Sequence, residues 1–158
     1  MKVGQLGEDI IYQYLCKMPT VKEIKDVRND KEYQKKDIDY ILVMNTGQER
    51  TVEIKTDSYI SDNIFFETMS AKETNSIGCM YKTEAEWLLY YFLRTKELYI
   101  LKMPDYRNWV DENISRFQKR KIGNWRRGQG KTYTSEGRLI PKQILESEFK
   151  NLKKEIID

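Results

Sequence analysis

Histidine is absent from this chain, cysteine occurs only twice, and the three prolines, Pro19, Pro104 and Pro141, fall between periodic segments. Without histidine there is no Ser-His-Asp or Cys-His nucleophile, no His-Glu-x-x-His metalloprotease and no nuclease with a histidine base or ligand. Any catalysis then rests on carboxylates, lysine, tyrosine or a metal held by oxygen, and oxygen donors favour magnesium or manganese over zinc. Cys16 and Cys79 stand far apart with no C-x-x-C, which fits neither a disulfide scaffold nor a zinc site. Also missing is any apolar run near the roughly 20 residues of a membrane-spanning helix, so no membrane partner is expected. Glu8 and Asp9 stand where an export signal would be apolar, and the expected location is the cytoplasm of a bacterial or phage-infected host cell. Two alanines against 28 Lys+Arg agree with an AT-rich coding genome of that kind.

What is present reads as one domain over residues 1–158, with no repeat or linker interrupting it. Apolar residues at Leu6, Ile10, Ile11, Tyr14, Leu15 and Met18 predict a helix over 5–18, ended by Pro19. Residues 23–28 suit a short strand. The β-branched runs 38–44 and 51–56 flank the turn-like Asn45-Thr46-Gly47-Gln48 and predict a hairpin. Further strands are expected at 63–69 and 98–103, and helices at 85–93 and 106–117. The 85–93 helix places Trp87, Leu88, Tyr91 and Phe92 on one core stripe. A C-terminal helical tail is expected over 141–157. The fold class is therefore α/β in the α+β sense, a mixed central sheet with an antiparallel hairpin flanked by helices.

The hairpin carries unusual charges. Side chains alternate along a strand, so Glu53 and Lys55 share one face while Val52 and Ile54 take the other. A turn centred on 46–48 brings Asp39 opposite Glu53–Lys55, so two carboxylates and one ammonium converge. Taken singly, Glu-x-Lys and Asp37-Ile38-Asp39 are ordinary surface charges, worth roughly 0–1 kcal/mol as ion pairs. Glu8 is a second anomaly. It lies beside the apolar face of the first helix, where a carboxylate is costly unless paired or metal-linked. A plain dipole role at the helix N-terminus is the competing explanation.

Three segments, G-Q-L-G-E-D (4–9), D-I-D-Y-I-L-V (37–43) and V-E-I-K-T-D (52–57), occur in the order seen in PD-(D/E)XK nucleases. The chain resembles that superfamily, most nearly its Holliday-junction-resolvase-like and phage or restriction-endonuclease-like branches. Weaker similarity extends to about residue 103 through N-I-F-F-E-T-M-S (63–70) and C-M-Y-K-T-E-A-E-W-L-L-Y-Y-F (79–92). The resemblance implies a restriction-endonuclease-like core and a Mg²⁺- or Mn²⁺-dependent DNA endonuclease acting on duplex or branched DNA. It implies that Asp39, Glu53 and the backbone carbonyl of Ile54 hold the cation. Lys55 would orient or help deprotonate the attacking water, and Glu8 would support a metal through water or a second site. Where the family often has Pro or a small residue before its first Asp, this chain has Ile38 before Asp39 and Lys36 before Asp37, so Asp37 remains the alternative ligand. Glu67 on the 63–69 strand is an accessory candidate if that strand neighbours Glu53.

A nuclease also needs to hold a polyanion. Net charge is only +3, but residues 116–131 contain Arg116, Lys119, Arg120, Lys121, Arg126, Arg127 and Lys131 without one acid. Such a segment suits phosphate contacts, and Trp125 and Tyr133 suit base stacking. Lys119, Arg120, Lys121, Arg126, Arg127 and Lys131 are the expected nucleic-acid contacts, against the plainer reading of a solvated loop. Gly130-Lys131-Thr132 is not a P-loop, because the earlier glycine position is Trp125. Symmetric double cutting would require a homodimer. Two other readings use the same residues: a catalytically silent nucleic-acid-binding protein on this fold, and a structural or regulatory protein with plain surface charges.

Overall fold

The computed structural model describes residues 2–126 and 128–158, with backbone alone at Arg126 and Lys131. The first elements are α1 (Val3–Cys16), β1 (Val21–Asp26), α2 (Lys31–Gln34), β2 (Tyr40–Met44) and β3 (Glu49–Asp57). Then come β4 (Asn63–Ala71), β5 (Ser76–Ile77), α3 (Cys79–Lys82), β6 (Trp87–Phe92) and β7 (Glu97–Lys102). The remainder holds α4 (Met103–Asn113), a 3-10 turn at Ile114–Arg116, β8 (Gln118–Arg126), β9 (Gly130–Pro141), α5 (Lys142–Glu148) and β10 (Leu152–Ile156). Two sheets result. One is six-stranded in the order β1-β2-β3-β6-β7-β10, with β3 and β6 parallel and the other pairs antiparallel. The other is four-stranded and antiparallel, in the order β5-β4-β9-β8. The chain is thus an α+β fold with a mixed central sheet. Among the described residues no helix is long and apolar enough to cross a membrane.

The chain divides into two compact units. The first comprises Met1–Ile60, Glu84–Tyr106 and Asn151–Asp158, and the second Ser61–Thr83 and Arg107–Lys150. In the first unit the apolar stripe of α1 does what its spacing predicts: Ile11 and Leu15 pack on Tyr40, Leu42, Val52, Ile54, Leu89, Tyr91 and Leu98. The β2–β3 turn closes where the Asx/Gly signal lies. Gly47 takes φ +86, a left-handed geometry that glycine adopts without a Cβ penalty, and Met44 N–H reaches the Gln48 carbonyl at 2.8 Å.

α1 approaches β3 so closely that a Cβ added at Gly7 would stand 1.8 Å from Thr56 Oγ1. Alanine is the better helix former by about 1 kcal/mol, but the clash is with a β-branched side chain of restricted rotamer. The clash wins. Gly7→Ala is expected to destabilise the protein by about 3 kcal/mol in urea unfolding, and an unchanged midpoint would show that α1 can shift freely.

Two sequence expectations are corrected. Residues 85–93 are not a helix: Trp87–Phe92 form β6, the parallel neighbour of β3, with Leu88 facing Glu53 and Tyr90 facing Lys55 in register. Trp87, Leu88, Tyr91 and Phe92 are core residues on a strand, because W-L-L-Y-Y-F is an unbroken apolar run buried on both faces, and periodicity does not separate such a run from a helix. The helical tail over 141–157 is also corrected. α5 ends at Glu148, and Leu152–Ile156 pair with β7 as an edge strand carrying Lys153 and Lys154.

In the second unit Trp109 packs against Phe117 and Phe149 at centroid distances of 5.5 and 5.7 Å. Arg107 holds the end of α3 through the Met80 and Thr83 carbonyls, each at 2.9 Å. The basic run is strand here. Gln118–Arg126 pair with β9 as the edge of the four-stranded sheet, whereas the sequence offered a basic segment for phosphate contacts or a solvated loop.

Candidate active site

Asp39 stands one residue before β2, where that strand leaves its pairing with β3. Its N–H donates to the Val52 carbonyl at 2.8 Å, and its Oδ2 accepts the Ile54 N–H at 2.8 Å. The side chain therefore occupies the ladder position that the backbone has vacated. A strand residue turns its N–H and C=O to the same edge, so the Ile54 carbonyl faces the Asp39 side.

Alternation assigns the rest. Val52 and Ile54 enter the core beneath α1, and Glu53, Lys55 and Asp57 point to the opposite face. Tyr40 also faces α1, which places Asp39 with Glu53. Glu53 is only 5% exposed, and its Oε1 accepts from Lys55 Nζ at 2.9 Å. Burial pushes the Glu53 carboxyl up to about 8; Lys55 opposes the rise, and Asp39 and Asp37 add to it. Asp39 is also raised, by burial first, with the Ile54 N–H holding it back, Glu8 adding to the rise, and Lys55 and a contact with Glu53 restraining it. Two touching carboxyls in a poorly solvated place thus share one ammonium.

No family model, curated protein or solved structure matches this chain.

Two adjacent carboxyls, Glu53 buried and Asp39 partly so, keep a proton between them or take a cation. The donors are two carboxylates and one carbonyl, all oxygen, which suits a hard divalent cation that completes its shell with water and phosphate oxygens. Among the described residues no three His, Cys, Asp or Glu side chains gather as a ready cage. The protein ligands would therefore be Asp39, Glu53 and the Ile54 carbonyl.

Glu8 is held elsewhere. Its Oε2 accepts from the Arg28 guanidinium at 2.7 Å, and Arg28 also binds Asp26 and lies 5.1 Å above the Tyr40 ring. Its charge reaches Asp39, as that group's raised pKa records, but its side chain is an ion-pair partner. Asp37 has φ +50 and acts on Glu53 electrostatically, while Asp39 makes the hydrogen bonds at β3. Glu67 lies in the second unit, where its carboxylate accepts the Cys79 N–H at 3.1 Å, and the sheet neighbours of β3 are β2 and β6 rather than β4.

Three contributors escaped the sequence reading. Arg28 neutralises Glu8; Asp57 accepts from Tyr90 Oη at 3.1 Å and from the Tyr59 N–H at 2.8 Å; Tyr90 stands opposite Lys55 in register. Asp57 had a usable signal, since it continues the Glu53-x-Lys55 alternation. Of the expected nucleic-acid contacts, Lys119, Arg120 and Lys121 are exposed on β8 of the second unit. Arg127 and the side chains of Arg126 and Lys131 lie outside the described residues. Arg116 is committed to Glu148 through two bonds of 2.8 Å.

Proposed function

We propose that the chain is a Mg²⁺- or Mn²⁺-dependent DNA endonuclease of the PD-(D/E)XK type, hydrolysing phosphodiester bonds in duplex or branched DNA. The observation that carries this reading is the nearly buried Glu53, touching Asp39 and paired with Lys55 where β2 leaves β3. A bound divalent cation would lower the pKa of a water and offset charge building on the scissile phosphate. Asp39 and Glu53 supply the negative charge that retains it. Lys55 keeps an ammonium beside that point and serves as an electrostatic and orienting group, since a lysine near its ordinary pKa of about 10.4 is a poor general base at neutral pH. Arg28 keeps Glu8 from adding a third uncompensated charge.

The silent nucleic-acid-binding reading has its own support in that ion pair, which draws Glu8 away from metal duty. One assay separates the two. Labelled four-way junction, flap, duplex and single-stranded DNA are incubated with Mg²⁺, Mn²⁺ or EDTA. Cutting that requires metal and is lost in Asp39→Asn is the expected result, and salt-sensitive binding without cutting in any metal would replace the nuclease with the binding protein.

A further inference from the structure

We propose that the β8–β9 ribbon is an arm for unpaired nucleotides, with Trp125 stacking on an exposed base and Lys72, Lys119 and Lys121 holding the neighbouring phosphates. The inference deepens the nuclease reading by naming a substrate class, and it shares with that reading only the premise that the partner is nucleic acid.

Trp125 is 70% exposed, although a tryptophan offers one of the largest apolar surfaces available for burial. The register of the ribbon shifts between Asn124 and Trp125 because β9 carries an extra residue, Thr132, between their partners Tyr133 and Lys131, a bulge that increases the local twist beside Trp125. The ring lies near Gly130, where an added Cβ would stand 3.7 Å from its Cζ3. A largely exposed aromatic ring thus stands beside a residue that carries no side chain.

The charges beside it are in excess. Lys121 faces Glu136 in register, and the same Glu136 pairs with Lys72 at 3.4 Å, so two ammoniums surround one carboxylate. Lys72 drives the Lys121 ammonium below its ordinary pKa, a repulsion that a bridging phosphate would relieve. Lys119 and Arg120 have no carboxylate partner among the described residues. Lys119 and Lys121 share a strand face about 7 Å apart, a spacing that suits successive phosphates of an extended strand. Alongside runs an open groove of about 460 Å³ lined by Ser70, Ala71, Gln129, Thr132 and Tyr133, with hydroxyls, an amide and a second aromatic ring for a base.

Lysines alone would grip duplex and single strand alike. The exposed indole discriminates, because a base already stacked in a duplex has no free face to offer.

The test is fluorescence anisotropy of the full chain, in EDTA so that nothing is cut, with labelled oligo-dT and a blunt duplex of two separate strands. Trp125→Ala is expected to weaken oligo-dT binding by about 10-fold or more while leaving duplex affinity unchanged, and Trp125→Phe should restore most of the loss. Lys72→Gln with Lys121→Gln should weaken both ligands and lower the salt slope by about 2. Equal losses on both ligands after Trp125→Ala, or no binding of oligo-dT by the native chain, would overturn the proposal. An oligo-U arm tests the sugar, and a Trp125-dependent loss there supports stacking equally. Trp125 is on the surface, so Trp125→Ala should not move the melting temperature. The nuclease reading stands or falls separately, on metal-dependent cleavage by the chain with Trp125 intact.

Discussion

Glu53→Gln is expected to reduce metal-dependent cleavage on the order of 10³-fold, the scale of losing one preorganised electrostatic partner at a reacting centre. The replacement is nearly isosteric, and its amide oxygen still accepts from Lys55 at the position that Glu53 Oε1 holds 2.9 Å away. Only the charge that would retain a cation is removed. Lys55→Ala should also cut activity, by a different route: it strips the buried Glu53 of its neutralising ammonium and drives that carboxyl still further toward its protonated form. Lys55→Arg, which keeps the charge, should recover part of the rate. Single-turnover cleavage at saturating Mg²⁺ measures all three, and native-like cutting by Glu53→Gln would remove Glu53 from the mechanism.

How much of this was legible depended on how local the signal was. The α1 stripe, the β2–β3 hairpin and its Gly47 turn were readable because each is specified by neighbours a few residues apart, as was the pairing of Asp39 with the Glu53 region. β6 is ambiguous in sequence because a six-residue apolar run satisfies strand and helix periods alike; what decides is its parallel pairing with β3, which is distant in sequence, together with the hairpin partner β7. β10 is a strand because β7 offers an edge, and Glu155 on it accepts the Tyr14 hydroxyl from α1, a partner 141 residues away. The β8 strand hid behind its lysines and arginines, since strands are recognised by apolar alternation. In the site, Arg28 has no local signal, because its partner Glu8 lies 20 residues away in sequence. Nothing near it in sequence announces a contact with Glu8.

The metal-free protein is expected to lose stability as pH rises from about 5 to 8, and Glu53→Gln is expected to abolish much of that slope. The folded Glu53 carboxyl is held up to about 8, whereas in the unfolded chain it ionises near 4.5. Between those values the native state carries a proton that the unfolded state lacks, so stability is fully present below the lower value, falls as pH rises and levels off above the upper one. Asp39, raised as well, acts in the same direction at the acid end. A displacement of this size is worth several kcal/mol in full. Shared with Asp39 and Lys55, the observable change is on the order of 2 kcal/mol. The window is unusually clean, because a chain without histidine has no other side chain whose ordinary pKa falls inside it. A cation binding at Asp39 and Glu53 would have to displace that proton, so Mg²⁺ or Mn²⁺ should raise the melting temperature more at pH 8 than at pH 6, and not at all in Glu53→Gln. Thermal melts across pH 5–8, with and without metal, make the comparison. A pH-independent native chain would mean that Glu53 is ionised and well paired in the fold, and a metal shift that persists in Glu53→Gln would put the cation somewhere else.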